Sequence, residues 1–201
     1  MVVSIEPDNS YTNTGSPLAD YTSMVLQMYL ETLEQSSMAQ LLDVGSICEE
    51  NIKFFAQRVN RFHVCDMFLL LSRSRRKGLR AEKVCEYLDY EPHSFDGINL
   101  WDFIDHLDDN EATKLVKLCH TLLKPKGMMI VISFEEHSAP SQINSFIVQD
   151  GYRLTLRLQN HLDLPYYYRS NRILTEMLSE FASVKSFIYR NGVREFLCKR
   201  D

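Results

Sequence analysis

Glycine and proline are scarce: seven and six in 201 residues. That excludes a collagen and a low-complexity chain. Cysteine is also thin, with five thiols at 48, 65, 85, 119 and 198, and no C-x-x-C pair among them. An odd, scattered set does not build a disulfide framework and reads as reduced, buried thiols. The six histidines are dispersed, without an H-x-x-x-H or a mixed Cys/His cluster, so no metal site is expected. No apolar run approaches the ~18 residues of a membrane span. The first seven residues lack the basic flank and apolar core of a signal peptide. Net charge is −5 with a pI near 5.7; a soluble cytoplasmic protein fits and a general nucleic-acid binder does not. What is present, 45% hydrophobic, 24% charged and 11% aromatic, suffices for the core of one globular domain.

Residues 1–17 are polar and turn-rich and read as a flexible arm. Residues 18–201 read as the domain. Helical spacing begins within 18–33, where Asp20 can cap the start. A short buried strand over 39–44 ends at Gly45, and a helix follows with Ile52, Phe55, Ala56 and Val59 on one face. Residues 61–66 form a second strand, completing a βαβ candidate. A third strand is expected near 84–88 and a fourth over 94–101. A helix over 108–123 presents Ala112, Leu115, Val116, Cys119, Leu122 and Leu123, and Pro125 and Gly127 stop it. The continuous apolar run 128–134 is what a central parallel strand requires. Residues 152–159 alternate and read as a half-exposed strand, with a helix as the alternative. A helix carries Leu174, Met177, Leu178 and Phe181. Two last strands, 184–189 and 193–198, flank Asn191-Gly192, a strong hairpin signal. The fold class is therefore α/β: a three-layer sandwich around a mostly parallel sheet with an antiparallel C-terminal hairpin. Ligands in such folds bind at the strand ends.

Leu41-Leu42-Asp43-Val44-Gly45-Ser46 stands at the first strand end. A glycine there lets a ligand approach the backbone, or makes a tight turn. Asp66, 21 residues beyond Gly45, can accept from both hydroxyls of a ribose or cap a helix. Glu49 and Glu50 suit a helix start but repel pyrophosphate. This points away from NAD or ATP and toward a cationic nucleoside.

These residues resemble the class I S-adenosylmethionine-dependent methyltransferases, over roughly residues 18–199. The run 41–46 is similar to the start of that family's h-h-D-x-G-x-G-x-G motif. Ser94-Phe95-Asp96-Gly97 through Asp109 resembles its S-F-D-x-h…h-x-H-L-x-D stretch, and Leu122-Leu123-Lys124-Pro125-Lys126-Gly127 its L-K-P-G-G turn. The resemblance implies a seven-stranded Rossmann-like sheet, S-adenosylmethionine as cofactor and methyl transfer to an unknown acceptor. It assigns cofactor binding to Asp43, Gly45, Ser46, Asp66, Met67, Glu86 and Trp101. The second and third motif glycines fall on Ile47 and Glu49, and Lys126 replaces a glycine. A catalytically inactive binding or scaffold protein of the same fold is therefore the alternative. A nucleotide-binding oxidoreductase is disfavoured by the acidic loop and the terminal hairpin. Asp102 and His106, four apart, are the catalytic candidates, His106 as general base or as a histidine fixed in a capping network. Trp101 can stack on adenine or lie in the core. Asp105, Asp108 and Asp109 read as a solvated helix start, and the basic residues of 73–83 as a solvated loop. Tyr166, Tyr167 and Tyr168 read equally as pocket wall, dimer contact or plain packing. They end an insertion at about 139–170, through which a homodimer is expected.

Overall fold

A computed structural model describes residues 20–79 and 82–201; the expected arm lies outside them. The chain runs β1 (Asp20–Thr22), α1 (Met24–Leu33), β2 (Gln40–Asp43), α2 (Glu49–Ala56), β3 (Arg61–Val64), α3 (Met67–Arg76) and α4 (Glu82–Cys85). It continues through β4 (Phe95–Trp101), a 3₁₀ turn (Phe103–His106), α5 (Asp109–Leu122), β5 (Leu123–Phe134), β6 (Asn144–Gln149), β7 (Arg153–Leu158), α6 (Asn171–Met177), β8 (Ser183–Ile188) and β9 (Val193–Lys199).

Six strands form the main sheet, in the order β3-β2-β4-β5-β9-β8. The first four are parallel and the last two antiparallel to their neighbours. On β5, Met128, Ile130, Ile132 and Phe134 face the layer of α1 and α2. Met129 and Val131 face the layer of α3, α5 and α6. Both faces are covered, which is why 128–134 reads as an unbroken apolar run. The Asn191-Gly192 turn closes β8 onto β9, with Gly192 at φ 78°.

The expected third strand is absent from the described residues, and the sheet has six strands rather than seven. As a strand, 84–88 would put Glu86 on the same face as Val84 and Leu88. The helical turn instead buries Val84 and Leu88 together and leaves Glu86 exposed. The first helix starts later than expected, at Met24, and its cap is Ser23, whose side chain accepts from Leu26 N. Asp20 lies in β1 and pairs with Arg153. Asp108, read as part of a solvated helix start, caps α5 in a reciprocal capping box with Glu111.

Two strands from the stretch read as an insertion, β6 and β7, join β1 in a second sheet, order β1-β7-β6. Asn51 on α2 ties it down like a neighbouring strand. Its Nδ2 donates to Phe146 O at 2.7 Å, and its Oδ1 accepts from Val148 N at 2.8 Å. No helix among the described residues is long and apolar enough to cross a membrane. None of the five cysteines forms a disulfide.

Candidate functional site

The sheet's strand order reverses beside β2, which pairs with β3 on one side and β4 on the other. The loops after β2 and β4 therefore frame the cleft where this class of fold holds ligands. Asp43, the last residue of β2, is buried there. Its Oδ1 accepts from Gly45 N at 2.8 Å and Trp101 Nε1 at 2.9 Å, and its Oδ2 from Asn99 Nδ2 at 3.2 Å. Burial raises its carboxyl to about 6 despite those three donors.

Trp101, at the end of β4, fills the cleft. A Cβ on Gly45 would lie 2.5 Å from its Cδ1 and 2.7 Å from its Nε1, so only glycine fits beneath this ring. The ring stacks on Phe146 of β6, centroids 5.6 Å apart at 11°. The remaining cavity, lined by Gly45, Ser46, Asn51, Trp101, Asp102 and Phe146 among others, is about 10 Å³, room for about one water. Sites for drug-sized ligands run to ~300–1,000 Å³. As the cleft stands, the indole of Trp101 occupies the space beside Gly45.

The other residues of the glycine loop turn outward or serve the protein. Ile47 is 57% exposed, and its N–H donates to Asp66 Oδ2 at 3.2 Å. Asp66 caps α3, its Oδ1 accepting from Leu69 N at 2.9 Å. Glu49 pairs with Lys53, and Glu50 with Arg157, which holds the Glu50 carboxyl down at about 2. Both pairs lie at the surface, where such pairs are weak. Met67 is fully buried in the core. Glu86 lies at the surface, paired with Lys83 at 2.9 Å. Ser46 lines the small cavity, and its buried Oγ has no partner among the described residues. The structure thus brings together Asp43, Gly45, Ser46, Trp101 and Asp102, with Asp66 reaching the loop through Ile47, and leaves Met67 and Glu86 elsewhere.

Asp102 and His106 are both buried. His106 Nδ1 lies 2.9 Å from Pro165 O. A carbonyl only accepts, so Nδ1 carries the proton. Nε2 faces Asp102 Oδ2 at 3.8 Å and has no hydrogen-bond partner among the described residues, nor has Asp102 Oδ1. Tyr166 closes the group, its hydroxyl donating to Asp102 Oδ2 at 3.1 Å and its ring 4.5 Å from that of His106. Burial and the carboxylates of Asp102 and Asp105 push the Tyr166 phenol far up. Tyr168 stacks on Tyr166 and stays half exposed.

Asp105, expected in a solvated run, is buried. It accepts from Ser133 Oγ at 3.0 Å and Phe134 N at 3.1 Å, and Arg169 stands 4.0 Å away. Arg194 donates to Ser133 Oγ, Phe134 O and Arg169 O. Sequence reasoning misses these arginines and also Asn51 and Phe146. The hydrogen-bond partners of Arg194 and Asn51 are 25–97 residues away, and no local spacing reports them. From the basic stretch, Arg75 bonds His106 O and Glu111, and Arg76 bonds His161 O.

No protein-family model matches the sequence, and no curated protein matches it significantly. Solved structures do. An S-adenosylmethionine-dependent methyltransferase from Mesorhizobium loti is 15% identical, with 88% of this chain and 98% of that one covered, at a TM-score of 0.53. DhpI in its SAH complex is 14% identical, with 87% and 83% covered, at 0.52. SAM-bound CalS10, an amino pentose methyltransferase from Micromonospora echinaspora, is 14% identical, with 88% and 90% covered, at 0.51. With its parallel sheet, terminal antiparallel hairpin and flanking helices, the chain has the Rossmann-like fold of the S-adenosylmethionine-dependent methyltransferases.

Proposed function

We propose that this chain uses the methyltransferase fold without methyl transfer, as a binding or scaffold protein whose cofactor cleft is closed by its own side chains. The observation that carries this reading is the indole of Trp101 lying on Gly45, with about 10 Å³ left beside it. Two further features support it. The strand expected near 84–88 is a helical turn with Glu86 at the surface. His106 is buried behind Tyr166 and Phe68, out of reach of a substrate.

A second reading is S-adenosylmethionine-dependent methyl transfer to an acceptor of unknown chemistry. It is favoured by the Asp43-Val44-Gly45 turn at the end of β2, by Asp66 at the loop after β3, and by fold neighbours that carry SAM or SAH. It requires Trp101 to leave Gly45. Calorimetric titration of the whole chain with S-adenosylmethionine and S-adenosylhomocysteine separates the two. The closed-cleft reading expects no saturable heat at millimolar ligand. A micromolar dissociation constant overturns it in favour of the enzyme.

A further inference from the structure

Trp101 is held as a protein holds a planar heterocyclic ligand. Its Cδ1–Nε1 edge lies against bare backbone at Gly45, where no other residue fits. The ring stacks on Phe146, and Phe134 continues the stack at 6.1 Å and 13°. The ring N–H donates to a buried carboxylate, Asp43, which the Gly45 and Asn99 N–H groups hold in place. Phe146 in turn is fixed by the Asn51 clamp on its own strand. Main-chain geometry adds an independent sign. Trp101 has φ 51°, a left-handed conformation that is an outlier for a bulky residue and persists only where the surroundings over-determine it. The backbone is bent out of its ordinary range to deliver this ring to this place.

We propose that Trp101 is the cleft's resident ligand: the pocket between Gly45 and Phe146 recognises a planar aromatic ring bearing one N–H donor, and the chain supplies that ring itself. The inference rests on the closed-cleft reading above. It adds a specific recognition, with Asp43 as the polar determinant and Phe146 as the stacking platform. The recognition goes beyond apolar packing because a buried carboxylate, Asp43, accepts from the N–H.

The test uses Trp101→Gly in the whole chain, since glycine also suits the left-handed backbone. Indole and 1-methylindole, which lacks the N–H, are the probes. The variant is expected to melt about 10 °C or more below the wild type. Indole at tenfold over its dissociation constant should return about 3–6 °C, saturably, and leave the wild type unmoved. 1-Methylindole should return less than half of that. An indole shift no larger in the variant than in the wild type overturns the proposal, as does an equal response to 1-methylindole. Should the glycine variant not fold alone, folding on addition of indole supports the proposal. In that case Trp101→Phe, which keeps a ring without the donor, must melt below the wild type, and a midpoint equal to it overturns recognition of the N–H. A wild type that binds S-adenosylmethionine refutes the closed cleft itself, a result separate from any indole response.

Discussion

Two aspartates hold protons where ordinary aspartates do not. Burial raises Asp43 to about 6 and Asp105 to about 7, from 3.8. Asp105 is faced by Ser133, the Phe134 N–H, Asp102, His106 and Arg169. For both, the folded state binds more protons than the unfolded one between pH ~4 and their raised values. The sign is therefore a stability that falls as pH rises through that window. Asp105→Asn removes the titration while keeping an acceptor. The difference in unfolding free energy, wild type minus variant, should fall by up to about 4 kcal/mol from pH 4 to pH 8 in denaturant titrations. A difference that rises with pH refutes it. At Lys126, φ is 67° on an exposed side chain. Lys126→Gly relieves a left-handed lysine, and after the glycine's extra unfolded-state entropy a gain of about 0.5–1 kcal/mol is expected in the same titrations. Gly45 shows how far one residue can be read. Its position at a strand end marks a place of close approach, and the structure has one. The group that approaches is an indole 56 positions along the chain, delivered by a backbone angle that no motif encodes.

Among elements, those with a clean period were the legible ones. The α5 stripe, the 128–134 run, the alternation over 153–158 and the Asn191-Gly192 turn all appear where their spacing puts them. At residues 84–88 a short apolar stretch fits both periods, and only the cost of burying Glu86 decides between them. β6 has no strand signal in the sequence. Asn144, Ser145 and Gln149 make it look like a loop, and its pairing is supplied by β7 and by a side-chain amide on a distant helix. That amide is the test at this scale. Asn51→Ala leaves Phe146 O and Val148 N without their partner in a buried place. The expected loss is about 2–4 kcal/mol, two unsatisfied groups at ~1–3 each with partial relief by water. Amide exchange over residues 144–149 should accelerate more than that of β5; equal acceleration would mean that Asn51 is not a local clamp.

At the scale of the whole molecule, sequence patterning was enough for the layers and not for the closure of the cleft. Alternating strand and helix signals require a sandwich with its ligand cleft at the strand ends, and both follow from local periodicity. Whether that cleft is open depends on Trp101, Phe146 and Asn51 meeting from three separate elements, which is a tertiary fact. β9 stands at the same level. It lies between β5 and β8, and it carries Arg194 into the Asp105–Ser133 network. It also carries buried Glu195, which accepts from Tyr21 OH at 2.9 Å, Tyr189 OH at 2.8 Å and Val25 N at 3.3 Å. The strand that leaves the ribosome last among these elements is therefore an inner strand that also anchors the first helix. A nascent chain stalled before residue 193 has β5 with a bare edge and α1 without its carboxylate anchor, however long it waits. Until β9 emerges and pairs, the growing chain exposes an apolar sheet edge of the kind that chaperones bind.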